Sequence, residues 1–180
     1  MNAMNTHYPE PVRVEPVNRH TLAVIVDNEP GVLARNSGLF SGRGYNIESL
    51  TVSETEAQKH VSRITIVTTG THMVIQQIKN QLDRMVPVYR VVDQTLTGRS
   101  IERELAMVKL RGVGDARVES LRLAEAFRAR VIDASTESFV FEITGGPTKI
   151  NQFIELMRPL GLVEVVRTGV AAITRGAEGM

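Results

Sequence analysis

Apolar residues alternate with one another, not with polar ones, from His20 to Val26. Leu22, Val24 and Val26 lie on one side and Ala23 and Ile25 on the other, which predicts a strand with little polar exposure. Pro30 to Arg43 then places Val32, Leu33, Leu39 and Phe40 on one helical stripe that Asn36 interrupts. Gly38 inside that helix suggests a close backbone approach, and Gly42 and Gly44 end it. Asn46 to Glu56 is a second strand carrying Leu50 and Val52, the polar run EAQK is a hairpin loop, and Val61 to Thr69 is a third strand. Thr71 caps a helix in which Val74, Ile78, Leu82 and Met85 share a face. Val86 to Thr95 is a fourth strand whose early Pro87 suits a strand start or an edge.

The order β-α-β-β-α-β then recurs. A polar joint at Thr97-Gly98-Arg99-Ser100 precedes a strand, Glu104 to Arg111, and a helix capped by Asp115 with Val118, Leu121, Ala124 and Phe127 on its inner face. Val131 to Ala134 and Phe139 to Thr144 pair around Thr136-Glu137-Ser138. Gly145-Gly146-Pro147 opens a helix carrying Ile150, Phe153, Ile154 and Met157, and Val163 to Thr174 is the last strand. The fold class is therefore α+β, with two tandem ferredoxin-like βαββαβ domains. The expected boundaries are a flexible tail over 1–19, a first domain over 20–96, a linker over 97–102, a second domain over 103–176 and a tail over 177–180. Two helices would cover one face of each sheet and leave the other face and the edges free, which favours an oligomer and makes a homodimer the expectation.

Composition narrows the function without naming it. Hydrophobic residues are 42% and charged residues 23% of the chain, ordinary values for a globular protein. A net charge of +1 supplies no field for nucleic acid or a membrane surface. No apolar run reaches the ~20 residues that span a bilayer. With no cysteine there is no disulfide, thiolate metal site or cysteine nucleophile. The first nineteen residues hold three prolines and no apolar centre, unlike a signal or transit peptide, so a bacterial cytoplasm is the expected location.

His7, His20, His60 and His72 show no metal-ligand spacing and no neighbouring carboxylate pair. No nucleophile elbow, phosphate loop or zinc-protease helix is present, and Gly112-Val113-Gly114-Asp115 reads as a turn before a helix. A non-enzyme is the expectation, with no metal and no catalytic residue. RNA-binding modules share the βαββαβ order but stack bases on strand aromatics. Aromatics are only 4% of this chain, and the inner strands of its first half carry none. The stretch Asp27 to Leu50 is the one shaped for a small ligand. Asn28 and Glu29 can cap the helix, Pro30 fits its first turn, and Gly31 leaves free amides bare at the positive end of the helix dipole. Asn28 and Asn46 flank the helix where a crossover could bring them close, and Val32 and Leu33 offer an apolar wall. Amides for a carboxylate, amide oxygens for an ammonium and a small apolar pocket are what an α-amino acid requires.

The run D-N-E-P-G-V-L followed by G-L-F-S-G-R-G-Y-N-I-E-S-L-T-V resembles the amino-terminal ACT domain of the regulatory (small) subunit of acetohydroxyacid synthase, or acetolactate synthase. The similarity continues through Arg103 to Lys109, Phe127 to Asp133 and Glu164 to Val170. It implies a non-catalytic subunit that binds and activates the thiamine-diphosphate-dependent catalytic (large) subunit and confers feedback inhibition by valine. Thiamine diphosphate, FAD and magnesium would belong to that partner, and this chain would bind no cofactor. The resemblance places valine between paired ACT domains, on Asn28, Gly31, Val32, Leu33, Asn46 and Ile47. The second half has Arg111-Gly112-Val113-Gly114-Asp115 at the matching junction and carries no such site. A stand-alone amino-acid-sensing ACT module acting on another enzyme is the alternative, and no helix-turn-helix or basic patch supports an ACT-containing transcriptional regulator.

Overall fold

A computed structural model describes residues 15–56, 60–96, 98 and 100–179. Most of the expected N-terminal tail, Ala57 to Lys59 of the polar loop, Thr97 and Arg99 of the joint and the final Met180 lie outside the described residues. The first unit runs β1 (Asn18–Asp27), α1 (Val32–Gly42), β2 (Ser49–Glu56), β3 (Val61–Gly70), α2 (His72–Leu82) and β4 (Val88–Asp93). The second runs β5 (Ser100–Arg111), α3 (Asp115–Ala126), β6 (Arg130–Ala134), β7 (Ser138–Gly145), α4 (Pro147–Met157), β8 (Leu162–Arg167) and β9 (Ala171–Thr174). These are two ferredoxin-like units in tandem.

The first sheet has the order β2-β3-β1-β4. Both β1 and β2 pair antiparallel with β3, so they run parallel to each other and α1 is the crossover between them. Leu22, Val24, Val26, Ile64 and Ile66 point to the helices and form one core with Val32, Phe40, Ile75, Ile78 and Leu82. Thr71 caps α2 as expected, accepting from the Val74 amide. Nothing lies within 4 Å of a side chain built at Gly38, so its expected close approach is absent. Asn36, 1% exposed, gives its amide to the Val32 carbonyl at 2.9 Å, and its Oδ1 is buried with no partner.

The second sheet has the order β6-β7-β5-β8. Its core joins Ala106, Val108, Leu110, Phe141 and Ile143 to Ile150, Phe153, Ile154 and Met157, the stripe expected of α4. The stripe expected of α3 is corrected. Val118 and Leu121 are 50% and 39% exposed, and the buried face is Ser120 and Ala124 flanked by Leu123 and Phe127. Ser120 tolerates burial because its hydroxyl donates to the Arg117 carbonyl at 2.8 Å. Asp115 is the first residue of α3, and Gly114 occupies the cap position.

Two further differences change how the units meet. The single last strand expected over Val163 to Thr174 is broken at Thr168–Val170 into β8 and β9. In addition, β5 begins at Ser100, within the expected joint. Ser100–Arg103 pairs with β9, while Glu104–Arg111 pairs with β7. This ribbon lies against the helix-free face of the first sheet. Thr21, Ala23, Thr65 and Val67 on that face are buried, as are Ala172 of the ribbon and Val170 just before it. Thr21 donates to Glu102, and Arg63 donates to the Ala172 carbonyl at 2.7 Å. On the first sheet the face expected to be free is therefore largely closed within the chain, leaving its edges β2 and β4, whereas the helix-free face of the second sheet stays exposed at Met107, Lys109 and Val166.

Replacing the half-satisfied Asn36 by Val should raise unfolding free energy by about 1–2 kcal/mol, since a buried unpaired carbonyl is lost. Phe40→Ala in the same core should lower it by about 3–5 kcal/mol. Urea titration monitored by circular dichroism reads both changes.

Candidate functional site

At the end of β1 the chain turns into α1 through backbone contacts and one side-chain bond at Asp27. The Asp27 amide donates to the Pro87 carbonyl at 3.2 Å and the Asn28 amide to the His60 carbonyl at 2.6 Å. Tyr89 donates its hydroxyl to Asp27, and that bond raises the phenol above its ordinary range. Neither Asn28 nor Glu29 caps the helix with its side chain. The N-cap is Gly31, at φ +83° in the left-handed region that favours glycine. The space around it is empty: nothing lies within 4 Å of a side chain built there. The Val32 amide bonds to the Glu29 carbonyl at 3.3 Å and the Arg35 amide to Gly31 at 2.9 Å. The amides of Leu33 and Ala34 have no acceptor among the described residues, the usual state of a helix start. Val32 is buried in the first core, while Asn28, Gly31 and Leu33 are exposed.

Asn46 and Ile47 sit just ahead of β2. The Asn46 carbonyl accepts from the Thr68 hydroxyl at 2.6 Å, and the Glu48 amide donates to Val67 at 2.8 Å. Asn46 is exposed and Ile47 half-buried against the first core. The expected approach of Asn28 to Asn46 through the crossover does not occur. Asp27 pairs with Val61 and Asn46 bonds to Thr68, positions about 23 Å apart along β3 at ~3.3 Å per residue. Because β1 and β2 are parallel, the end of one and the start of the other lie at opposite ends of the sheet. Asn28, Gly31, Val32 and Leu33 form one cluster, and Asn46 and Ile47 another.

Sequence reasoning missed a cleft of about 440 Å³ between the two units, bordered by Arg19, Glu48, Ser49, Glu104, Arg167 and Gly169 among others. Glu104, 5% exposed, is held by the Arg167 guanidinium, which also donates to Asn151 at 2.7 Å. Arg19 joins Glu102 at 2.9 Å and Glu48 at 3.6 Å. These charges satisfy one another across the cleft. A carboxylate buried early in β5 is the one sequence signal that marks the place.

His20, at the start of β1, has a carboxylate partner that the sequence does not reveal. His20 and Asp93 are buried and their side chains meet at 2.8 Å, seventy-three residues apart in sequence. Asp93 also accepts from the Thr95 amide, so the pair pins the start of β1 to the end of β4. Among the described residues, no group of three or more His, Asp or Glu side chains could hold a metal ion.

Comparison with known proteins agrees with this architecture in both halves. Residues 22–90 match the family described as the AHAS small subunit-like ACT domain, and residues 103–176 match the small subunit of acetolactate synthase. The chain is 45% identical over 158 residues to a probable acetolactate synthase small subunit of Archaeoglobus fulgidus, covering 88% of this chain and 98% of that one. This chain belongs to the acetolactate synthase small-subunit family. It is 42% identical to the small subunit of Mycolicibacterium smegmatis over 161 residues, 89% of this chain and 94% of that one. The crystal structure of the Thermotoga maritima small subunit superposes with a TM-score of 0.80 at 36% identity, covering 89% of this chain and 99% of that one. The acetolactate synthase small-subunit family thus accounts for both units, as tandem ACT and ACT-like domains.

Arg167→Ala would strand the Glu104 carboxylate in a nearly solvent-free place. The expected cost is toward the lower end of about 3–5 kcal/mol, because Arg167 itself is partly solvated. Arg167→Lys should recover only part of it, since an ammonium cannot make the two-pronged contact. Chemical denaturation of both variants measures this.

Proposed function

We propose that this chain is the non-catalytic regulatory subunit of an acetolactate synthase. It binds and activates the thiamine-diphosphate-dependent catalytic subunit and makes it sensitive to valine in branched-chain amino acid biosynthesis. The chain carries no cofactor of its own and works as a homodimer in the bacterial cytoplasm. No helix among the described residues is long and apolar enough to cross a membrane.

One observation supports a valine site shared between two copies: the two clusters lie at opposite ends of the same sheet. The Asn28–Leu33 cluster has only the exposed Leu33 as apolar surface, since Val32 is buried in the core, and the Asn46–Ile47 cluster has no helix start. The Gly31–Leu33 helix start supplies amides and dipole for a carboxylate, and Asn28 and Asn46 supply amide oxygens for an ammonium. β2 is a free edge. Two β2 edges pairing antiparallel about a two-fold would bring the start of one strand to the end of the sheet that carries Asn28 of the other copy. Each dimer would then hold two equivalent sites, with Leu33 and Ile47 as the apolar wall and the buried Val32 anchoring the helix start behind them.

Modest affinity suffices for this role. A sensor working near ~100 μM needs only about −5.5 kcal/mol. Leucine and isoleucine share valine's charged groups, and one methylene discriminates by ~1–3 kcal/mol, so both should bind more weakly than valine.

Gly31→Asp should abolish valine inhibition, because it places a negative side chain beside the free amides and strains a left-handed backbone. Asn28→Ala and Asn46→Ala should weaken inhibition by about ten-fold, the scale of one lost charge-assisted hydrogen bond. Stimulation of the cognate catalytic subunit should persist in all three. The measurements are acetolactate formation with and without valine, and calorimetric titration of valine into each variant. Unchanged valine affinity in Gly31→Asp would remove the site assignment, and a wild-type protein that does not stimulate the synthase would remove the regulatory reading.

A further inference from the structure

The start of β2 is gripped from two sides. On one side it is bonded to β3 through Asn46, Glu48 and the ladder that begins at Ser49 and Val67. On the other side it meets the joint between β8 and β9, which comes from the second domain. The Val170 amide donates to Ser49 Oγ at 3.0 Å. Gly169, at φ +84°, lies so close that a side chain built there would fall 2.8 Å from both Ser49 Oγ and Thr51 Oγ1. Such a separation is shorter than any ordinary contact, so only glycine fits both the space and the backbone.

The joint is itself rigidly held. The Thr168 amide donates to the Leu105 carbonyl at 3.0 Å, and the Thr168 hydroxyl accepts from the Leu105 amide at 3.1 Å. The preceding Arg167 is fixed by Glu104 and Asn151. One step away, Arg19 links Glu48, the residue after Ile47, to Glu102 of β5.

We propose that Gly169, in the second domain, is a positioning residue for the effector half-site at Asn46 and Ile47. The proposal rests on the reading that valine binds there. The close seat of Gly169 against Ser49 and Thr51 holds the start of β2 in the conformation that presents the Asn46 amide and the Ile47 side chain. A looser seat leaves these two residues to be ordered at the moment of binding, and the ordering cost is subtracted from affinity. The second domain would thus set valine affinity without touching valine.

The test titrates valine by calorimetry into the full-length wild type, Gly169→Ala, Ser49→Ala and Gly169→Ala/Thr51→Ala, and assays each with the cognate catalytic subunit. Gly169→Ala should weaken valine binding by about ten-fold and Ser49→Ala by about three-fold, the loss of preorganisation and of one hydrogen bond respectively. Stimulation of the synthase should stay within about two-fold of wild type, since the weakened step is effector ordering alone. The double variant, which removes one of the two overlapping oxygens, should recover part of the valine affinity. Ser49→Ala decides the matter if Gly169→Ala does not fold. Wild-type valine affinity in the folded variants would overturn the proposal, and so would affinity and stimulation falling together by the same factor. A wild-type protein that binds no valine would instead overturn the effector reading on which the proposal stands.

Discussion

The parallel course of β1 and β2 is the constraint on which the functional organisation depends. Both strands pair with β3 in the antiparallel sense, and α1 returns the chain along the whole sheet between them. A ligand-ready helix start at Gly31 and an exposed asparagine at the start of β2 are therefore separated within one chain by the length of the sheet. Neither is a pocket alone. If the two clusters serve one ligand, they must do so across a symmetric contact, and ligand binding then reports on the pairing of two subunits and not on one fold.

The second constraint is the closure of the opposite sheet face. A lone ferredoxin-like unit leaves that face open, and its burial of Thr21, Ala23, Thr65 and Val67 here depends on the ribbon of β5 and β9. Glu102, Arg63 and Gly169 fasten the ribbon at separate points. The two domains share this surface, so a change at the start of β2 is mechanically adjacent to the second domain. The β2 edge, like the β4 edge, is left where another copy can add to the first sheet.

Much of this was legible in the chain. The apolar run His20–Val26 gave element type, and the i, i+4, i+7 spacing of α4 gave both element type and core side, because burial there follows local period. The stripe of α3 was not legible. Ala124 and Phe127 of the expected stripe do face the core, but Ser120 and Leu123 replace Val118 and Leu121 beside them, a small rotation of the helix that the local period does not distinguish. The break at Gly169 was missed because a lone glycine between two β-rich runs reads as well as a bulge within one strand, and the close approach of β2 is visible only in three dimensions. At the candidate site, residue types were readable from D-N-E-P-G-V-L, and the family carries their meaning. Their separation was not readable, since it follows from strand direction and not from local sequence. The pairing of buried Glu104 with the partly solvated Arg167, sixty-three residues apart, is likewise a product of tertiary contact.

The central claim, that one valine site takes its two halves from two subunits, has a direct measurement. Gly31→Asp and Asn46→Ala chains carrying different tags are co-expressed, and the mixed dimer is isolated through both tags. Its inhibition by valine is then assayed with the catalytic subunit. Each parent dimer has both sites damaged, whereas the mixed dimer has one site built from two intact halves. Recovery of valine inhibition in the mixed dimer, at about half the wild-type number of sites by calorimetry, is the predicted result. A mixed dimer no more sensitive to valine than the Asn46→Ala parent would contradict a site shared between subunits.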